Sequence, residues 1–117
     1  MTSLAPGISW WYNWYFVFDA SLGGSTLYHD LGIEFIPMRW GDNPLISTAA
    51  NGVTSDARTI LGFNEPSFGS QSDLSAQTAA SMWGELESFA DSRNPPLKLV
   101  SPAVNFCGGD CHSDGPF

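Results

Sequence analysis

The segment ILGFNEPS, residues 60–67, holds the residues best suited to acid–base chemistry. An apolar run ends there in an amide, a carboxyl and a proline, namely Asn64, Glu65 and Pro66. Apolar neighbours such as Phe63 can desolvate a carboxyl group, which raises its pKa and keeps it protonated for use as a general acid. The Asn64 amide can donate to and accept from a substrate hydroxyl. These residue types predict an acid/base at Glu65 and a substrate contact at Asn64.

A plainer interpretation stays open at this point, because a Glu before Pro at a strand end is often a solvated loop residue. On a regular strand, moreover, the side chains of Asn64 and Glu65 would point to opposite faces of the sheet. Both can serve one site only if the strand end twists or bulges.

Strands and helices alternate along the sequence around this segment. Apolar and β-branched patterns predict strands in the first part of residues 7–18 and in residues 33–41, 58–66 and 97–104. Asn43 as N-cap and Pro44 at the first helical position predict a short helix closing near Gly52. Ser75 as N-cap predicts a longer one, whose apolar stripe recurs every three or four positions at Ala79, Met82, Trp83, Leu86, Phe89 and Ala90.

This alternation predicts an α/β fold with a parallel sheet. The predicted strands end in polar or aromatic residues, and in α/β barrels the carboxyl ends of the strands carry the chemistry. We expect a partial (β/α)8 TIM barrel of about four N-terminal βα units with its site on the C-terminal rim. A full barrel typically takes about 250 residues, so we expect residues 1–117 to form one truncated domain. A smaller open α/β sheet is the alternative.

The charge balance excludes several partner classes. The net charge is −8, and the four Lys and Arg residues are scattered singly. Nucleic acids and anionic membranes require clustered Lys and Arg, so neither is expected as a partner. No apolar run approaches the roughly 20 residues of a membrane span, and the opening MTSLAPG does not look like a secretory signal. A neutral partner such as a sugar suits this balance.

Cys107 and Cys111 form a CxxxC pattern beside His112. A zinc site would need more well-placed ligands than this Gly-rich loop offers, so we expect no metal and no cofactor. A disulfide framework, either within this loop or to cysteines outside the chain, fits an exported protein better. Two free thiols remain the third interpretation.

Five motifs in order along the chain resemble glycoside hydrolase family 128, a glycosyl hydrolase catalytic core that resembles the fungal alkali-sensitive linkage protein. They are WWYNW, FIPMRWG, LGFNEPS, QSDLSAQTAASMW and LKLVSPAV, and they cover nearly the whole chain. The resemblance implies the N-terminal half of a (β/α)8 enzyme that cuts β-1,3-glucan with retention. It also allows a protein that binds oligosaccharide without hydrolysis.

The resemblance implies roles for single residues. Glu65 is similar to the family's general acid/base, and Asn64 to the amide that contacts the sugar next to the scissile bond. Trp14 and Trp40 resemble glucose platforms, with Tyr12 and Asn13 as further substrate contacts. For Trp10, Trp11 and Trp83 we expect burial in the core instead.

Retaining hydrolysis also needs a second carboxylate about 5 Å from the first. In the family the nucleophile is expected on a late strand. This sequence ends before such a strand. Asp42 and Asp110 follow strand ends, but neither lies in a motif that matches a nucleophile. We therefore expect the chain alone to hydrolyse little β-1,3-glucan. The alternatives are a non-catalytic β-glucan-binding protein and an inactive structural fragment, and the expected location is extracellular or the cell wall.

Overall fold

Short strands and one long helix form most of the regular structure in the computed structural model, which describes residues 7–19, 21, 27–106 and 108–112. The elements in chain order are β1 (Trp10–Trp11), α1 (Leu27–Asp30), β2 (Glu34–Phe35), α2 (Ile46–Ala49) followed by a 3₁₀ turn (Ala50–Gly52), β3 (Thr59–Leu61), α3 (Ala76–Asp91), β4 (Lys98–Val100) and a second 3₁₀ turn (Gly108–Asp110).

The strands pair in parallel in chain order. β1 pairs with β2, and β3 pairs with β4. The chain beyond β2 joins these pairs through a parallel bridge between Met38 and Leu61, where the Leu61 N–H donates to Pro37 O at 2.9 Å and the Arg39 N–H donates to Leu61 O at 3.0 Å. The predicted α/β class with parallel strands is confirmed.

The main apolar core lies between the strands and α3. Ile60 of β3 and Leu86 of α3 are both 0% exposed and belong to one cluster. A second cluster joins Phe63 to Met82 of α3, and a third lies beneath β1 and β2 around Tyr28 and Phe35. α3 therefore supports β3, the strand that leads into Asn64 and Glu65.

The prediction for α3 is confirmed at its start and along its buried face. The Ser75 Oγ accepts a hydrogen bond from the Thr78 N–H at 3.0 Å, which satisfies one of the free amides of the first turn. The predicted stripe is buried at Ala79, Met82, Leu86 and Ala90 and half-buried at Trp83 and Phe89.

Among the described residues, no helix is long and apolar enough to cross a membrane.

The predicted cap of the short helix is wrong. α2 begins at Ile46, and the residue before it is Leu45, with ψ 145° and no side-chain cap bond. Because Leu45 is still extended, Asn43 lies too far upstream to cap the first turn. The predicted closure near Gly52 is confirmed by the 3₁₀ turn that ends there.

Candidate functional site

Backbone hydrogen bonds align the residues that follow β2, β3 and β4. The Asn64 N–H donates to Trp40 O at 2.9 Å, and the Glu65 N–H donates to Ala103 O at 2.8 Å. The segment after β1 joins the same row, since the Met38 N–H donates to Tyr15 O at 2.9 Å. The predicted site residues therefore come from neighbouring segments at one edge of the sheet.

Glu65 departs from strand geometry. Its φ is +40°, in the left-handed region that residues with a side chain rarely adopt. The turn is closed by the Phe68 N–H, which donates to Glu65 O at 3.0 Å. The half-buried Glu65 side chain accepts a hydrogen bond on Oε1 from Asn105 Nδ2 at 3.3 Å. The irregular strand end that the sequence required for a shared site is thus present at Glu65.

Asn64 is held by the loop that follows it. Its Nδ2 donates to Gln71 Oε1 at 3.0 Å, and its backbone oxygen accepts from the buried Ser72 Oγ at 2.7 Å. The sequence prediction named neither Gln71 nor Asn105 as a site residue. The only signals were that Gln71 lies in the QSDLS stretch and that Asn105 ends a polar strand terminus.

Arg39 is a further polar residue that the sequence prediction missed. It is 1% exposed, and its Nη1 lies 3.3 Å from Glu85 Oε2 on α3. Its Cζ lies 6.0 Å from the centroid of the Phe63 ring, within range of a cation–π contact. Burial lowers the pKa of the Arg39 guanidinium, and the Glu85 carboxylate opposes that shift. Arg39 therefore ties the end of β2 to α3 beneath the candidate site.

A row of aromatic rings begins in β1 and continues past its end, and its two tryptophans are exposed. Ring centroids are 6.2 Å apart for Trp10 and Tyr12 and 4.7 Å apart for Tyr12 and Trp14. Trp10 is 52% and Trp14 53% exposed, so the predicted core burial of Trp10 is wrong. Successive strand residues face opposite sides; Trp11 takes the core side, 4.8 Å from the Phe35 ring centroid, and leaves Trp10 on the solvent side.

Asn13 and Trp83 have contacts of their own. Asn13 Nδ2 donates to Val17 O at 2.9 Å and its Oδ1 accepts from the Tyr15 N–H at 3.2 Å, so the Asn13 amide organises the turn that carries Trp14. Trp83 is half-buried, with its ring centroid 6.2 Å from that of Phe63. Its place at the edge of the core agrees with the sequence prediction.

The loop after β4 packs against the loop after β3. Cys111 is disulfide-bonded, which agrees with the disulfide interpretation and leaves no Cys111 thiol to ligate zinc; Cys107 lies outside the described residues. Phe68 and Cys111 form an antiparallel bridge, and the Gly69 N–H donates to Asp110 O at 2.8 Å. Within the described ranges, no group of three or more His, Cys, Asp and Glu side chains could hold a metal ion.

Comparison with known proteins decides the family. The profile of the glycosyl hydrolase catalytic core matches residues 2–115. The crystal structure of a family 128 (subgroup II) endo-β-1,3-glucanase from Sorangium cellulosum is 48% identical over 99% of this chain, with a TM-score of 0.87. This chain belongs to glycoside hydrolase family 128. It spans 46% of the length of the Sorangium family 128 enzyme.

Two more distant family 128 structures share the fold. A subgroup II endo-β-1,3-glucanase from Pseudomonas viridiflava is 29% identical, with 92% of this chain and 41% of that chain covered and a TM-score of 0.77. A subgroup I endo-β-1,3-glucanase from Amycolatopsis mediterranei, in complex with laminaritriose, is 28% identical, with 88% and 37% covered and a TM-score of 0.60. No curated protein sequence matches the chain.

Proposed function

We propose that this chain supplies the acid/base side of a retaining endo-β-1,3-glucanase site. The observation that carries the proposal is the half-buried Glu65 carboxyl at the end of β3, held by Asn105 in a family 128 chain. The parallel order of the four strands supports our interpretation that they are the N-terminal units of a (β/α)8 barrel. We also propose that residues 1–117 form a single domain that is the N-terminal part of such a barrel.

Glu65 would protonate the glycosidic oxygen. Asn105 Nδ2 donates to Oε1, which leaves Oε2 as the oxygen to carry the proton. A second carboxylate, expected in the part of the barrel that this chain does not span and about 5 Å from Glu65, would attack the anomeric carbon to form the glycosyl intermediate. Glu65, now ionised, would then take a proton from the water that hydrolyses the glycosyl intermediate.

The remaining predicted contacts would hold the glucan. The Asn64 amide would hydrogen-bond a sugar hydroxyl beside the scissile bond. Trp14, Trp40 and Tyr12 would stack on glucose rings, and the half-exposed Trp14 ring is available for this. Asn13 would act mainly through the turn that carries Trp14. The disulfide-bonded Cys111 supports an extracellular or cell-wall location, because disulfides persist in oxidising compartments.

A chimera tests the catalytic proposal. This chain is joined to the part of the Sorangium enzyme that it does not match, and laminarin hydrolysis is measured. We expect the chimera to release sugars with retained anomeric configuration, as followed by NMR. Glu65→Gln should lower kcat by about 100-fold or more, because general acid–base catalysis contributes that much. We expect the 117-residue chain alone to hydrolyse little or nothing.

The exposed Asp91→Asn substitution on α3 is the matched control and should leave kcat unchanged. Undiminished hydrolysis by the Glu65→Gln chimera would overturn the acid/base assignment.

The aromatic row that begins in β1 favours a second candidate, a β-glucan-binding protein without hydrolysis. Laminaripentaose titration of the 117-residue chain, followed by tryptophan fluorescence, tests it. Binding together with an inactive chimera would favour this candidate. An absence of both binding and hydrolysis would leave the inactive structural fragment.

A further inference from the structure

The loop between β3 and α3 returns to the strand end and holds Asn64 at two points. The Ser72 Oγ donates to Asn64 O at 2.7 Å, and Gln71 Oε1 accepts from Asn64 Nδ2 at 3.0 Å. Ser72 is 7% exposed and packs against Gly41, where an added Cβ would approach the Ser72 Cβ to 3.0 Å. The loop therefore lies close against the ends of both β2 and β3.

The position of Gln71 is fixed by its own backbone and by neighbouring bonds. The N–H groups of Gln71 and Asp73 both donate to Phe68 O at 3.1 Å. The Leu74 N–H donates to Pro66 O at 2.9 Å, and the Leu74 side chain is 3% exposed. These bonds fix the backbone at Gln71, from which its Oε1 accepts from Asn64 Nδ2 at 3.0 Å.

The second anchor of this loop comes from the segment after β4. Asp110 O accepts from the Gly69 N–H at 2.8 Å, and the Ser70 Oγ donates to the Asp110 carboxylate. The His112 N–H donates to Ser67 O at 2.8 Å. These bonds brace residues 67–70, the first part of the loop, against the segment after β4.

The orientation of a carboxamide decides which groups it offers to a ligand. A turn of the Asn64 amide by 180° exchanges its oxygen and its NH₂ group. An acceptor at Gln71 Oε1 favours the orientation in which one Nδ2 hydrogen points to Gln71. The Asn64 Oδ1 and the second Nδ2 hydrogen are then left for a substrate hydroxyl.

We propose that Gln71 is a positioning residue that fixes the Asn64 carboxamide for a glucan hydroxyl. The proposal rests on the proposed function, because it assumes that Asn64 contacts the sugar. Gln71 itself needs no contact with the sugar. Its effect passes through the Asn64 Nδ2 bond alone.

Three substitutions in the 117-residue chain test this role by laminaripentaose titration. Gln71→Met keeps the side-chain length and removes the acceptor, and we expect it to weaken binding threefold to tenfold, the value of one hydrogen bond. Gln71→Glu keeps an acceptor oxygen and should restore binding to within about twofold of the unsubstituted chain. Gln77→Met, at an exposed glutamine of α3, is the matched control and should bind normally.

A double-mutant cycle with Asn64→Ala separates positioning from general damage to the loop. In the Asn64→Ala background, Gln71→Met should cause no further loss of binding. The NMR signals of the Asn64 side-chain amide should move in Gln71→Met and return in Gln71→Glu. If Gln71→Met fails to fold, Gln71→Ala takes its place in the same cycle.

The outcomes separate the two proposals. If the unsubstituted chain does not bind laminaripentaose and the unsubstituted chimera is inactive, the proposed function fails. If the unsubstituted chain binds and Gln71→Met binds equally well, the positioning role is overturned while the proposed function stands. Equal losses in Gln71→Met and Gln71→Glu, or additive losses with Asn64→Ala, would also overturn it, because they indicate damage to the loop.

Discussion

The chain ends β1 and β3 with similar backbone conformations that are held by different contacts. Each end contains a residue with positive φ, Trp14 at 60° and Glu65 at 40°. The turn at Trp14 is closed locally by the Asn13 side chain, which bonds to Tyr15 and Val17. Glu65 is held from a distance, since Asn105 lies 40 residues further along the chain.

This difference fits the chemistry that we propose for the two ends. Proton transfer and hydrogen bonding require exact positions, and the polar side chains after β3 are held by other side chains, Glu65 by Asn105 of a distant segment and Asn64 by Gln71 of the following loop. Stacking on a sugar ring tolerates small displacements, so the aromatic rings after β1 can rest on one another and on their own turn. Substitutions at four positions test whether the ends of β3 and β1 differ in this way.

The largest expected effect is on the support of β3. Phe63 is 0% exposed and contacts the Trp83 ring, so Phe63→Ala should lower the free energy of unfolding by about 3–5 kcal/mol. Urea unfolding followed by circular dichroism measures it. Phe106→Ala, at a side chain that is 97% exposed, is the control and should stay within about 0.5 kcal/mol. Equal costs for both substitutions would mean that the core does not support the β3 end.

The next-largest expected effect is on the ion pair of the buried Arg39 beneath the candidate site. Glu85→Gln leaves the Arg39 guanidinium without its carboxylate, and we expect a loss of about 1–2 kcal/mol. The value is below that of a fully buried pair because the Glu85 side chain is 53% exposed. Asp91→Asn on the same helix should show no loss in the same unfolding experiment. A Glu85→Gln protein as stable as its parent would show that Arg39 needs no carboxylate partner.

Two substitutions at Trp14 separate binding from backbone strain. Trp14→Ala and Trp14→Gly should both weaken laminaripentaose binding by about tenfold, the value of one good ring contact. Glycine tolerates positive φ, so Trp14→Gly should be more stable than Trp14→Ala by about 1 kcal/mol. Calorimetric titration and thermal melting measure the two effects. Unchanged binding in both variants would remove Trp14 from the glucan platform.

The smallest expected effect is a pH dependence beneath β1 and β2. Burial raises the pKa of the Tyr28 phenol, and the nearby Asp56 carboxylate raises it further. The folded state therefore holds the Tyr28 proton more tightly than the unfolded chain does, so this stability is present below about pH 10 and is lost as the pH rises further. Tyr28→Phe should reduce the alkaline loss of stability, measured by melting from pH 8 to 11. The exposed Tyr15→Phe is the control, and identical alkaline slopes for the two variants would contradict the expectation.

The sequence predicted the features that depend on local patterns. The cap at Ser75 and the buried face of α3 follow from spacing within one helix, and the parallel α/β class follows from alternation along the chain. The Asn43 cap was wrong because nothing in the sequence showed that Leu45 stays extended. Trp10 was misjudged because both faces of β1 carry aromatic residues, and only the packed core decides which face is buried.

The missed side chains share a different cause. Gln71, Asn105 and Arg39 act through partners that lie between 7 and 46 residues away in sequence. Such contacts depend on how loops meet in three dimensions, for which a single sequence carries no periodic signal. The local motif identified Asn64 and Glu65 as candidates, while the residues that hold them required the structure.

Two consecutive backbone N–H groups after β3 bond to different segments. The Asn64 N–H donates to Trp40 O, after β2, and the Glu65 N–H donates to Ala103 O, after β4. During synthesis from the N-terminus, Trp40 is already available when Asn64 is made, whereas Ala103 and Asn105 are not. The candidate proton donor therefore gains its full geometry only after the chain has been extended by about 40 residues. Hydrogen exchange of two neighbouring residues can therefore separate two docking events. The backbone N–H of Asn64 should report the docking of the segment after β2, and that of Glu65 the docking of the segment after β4.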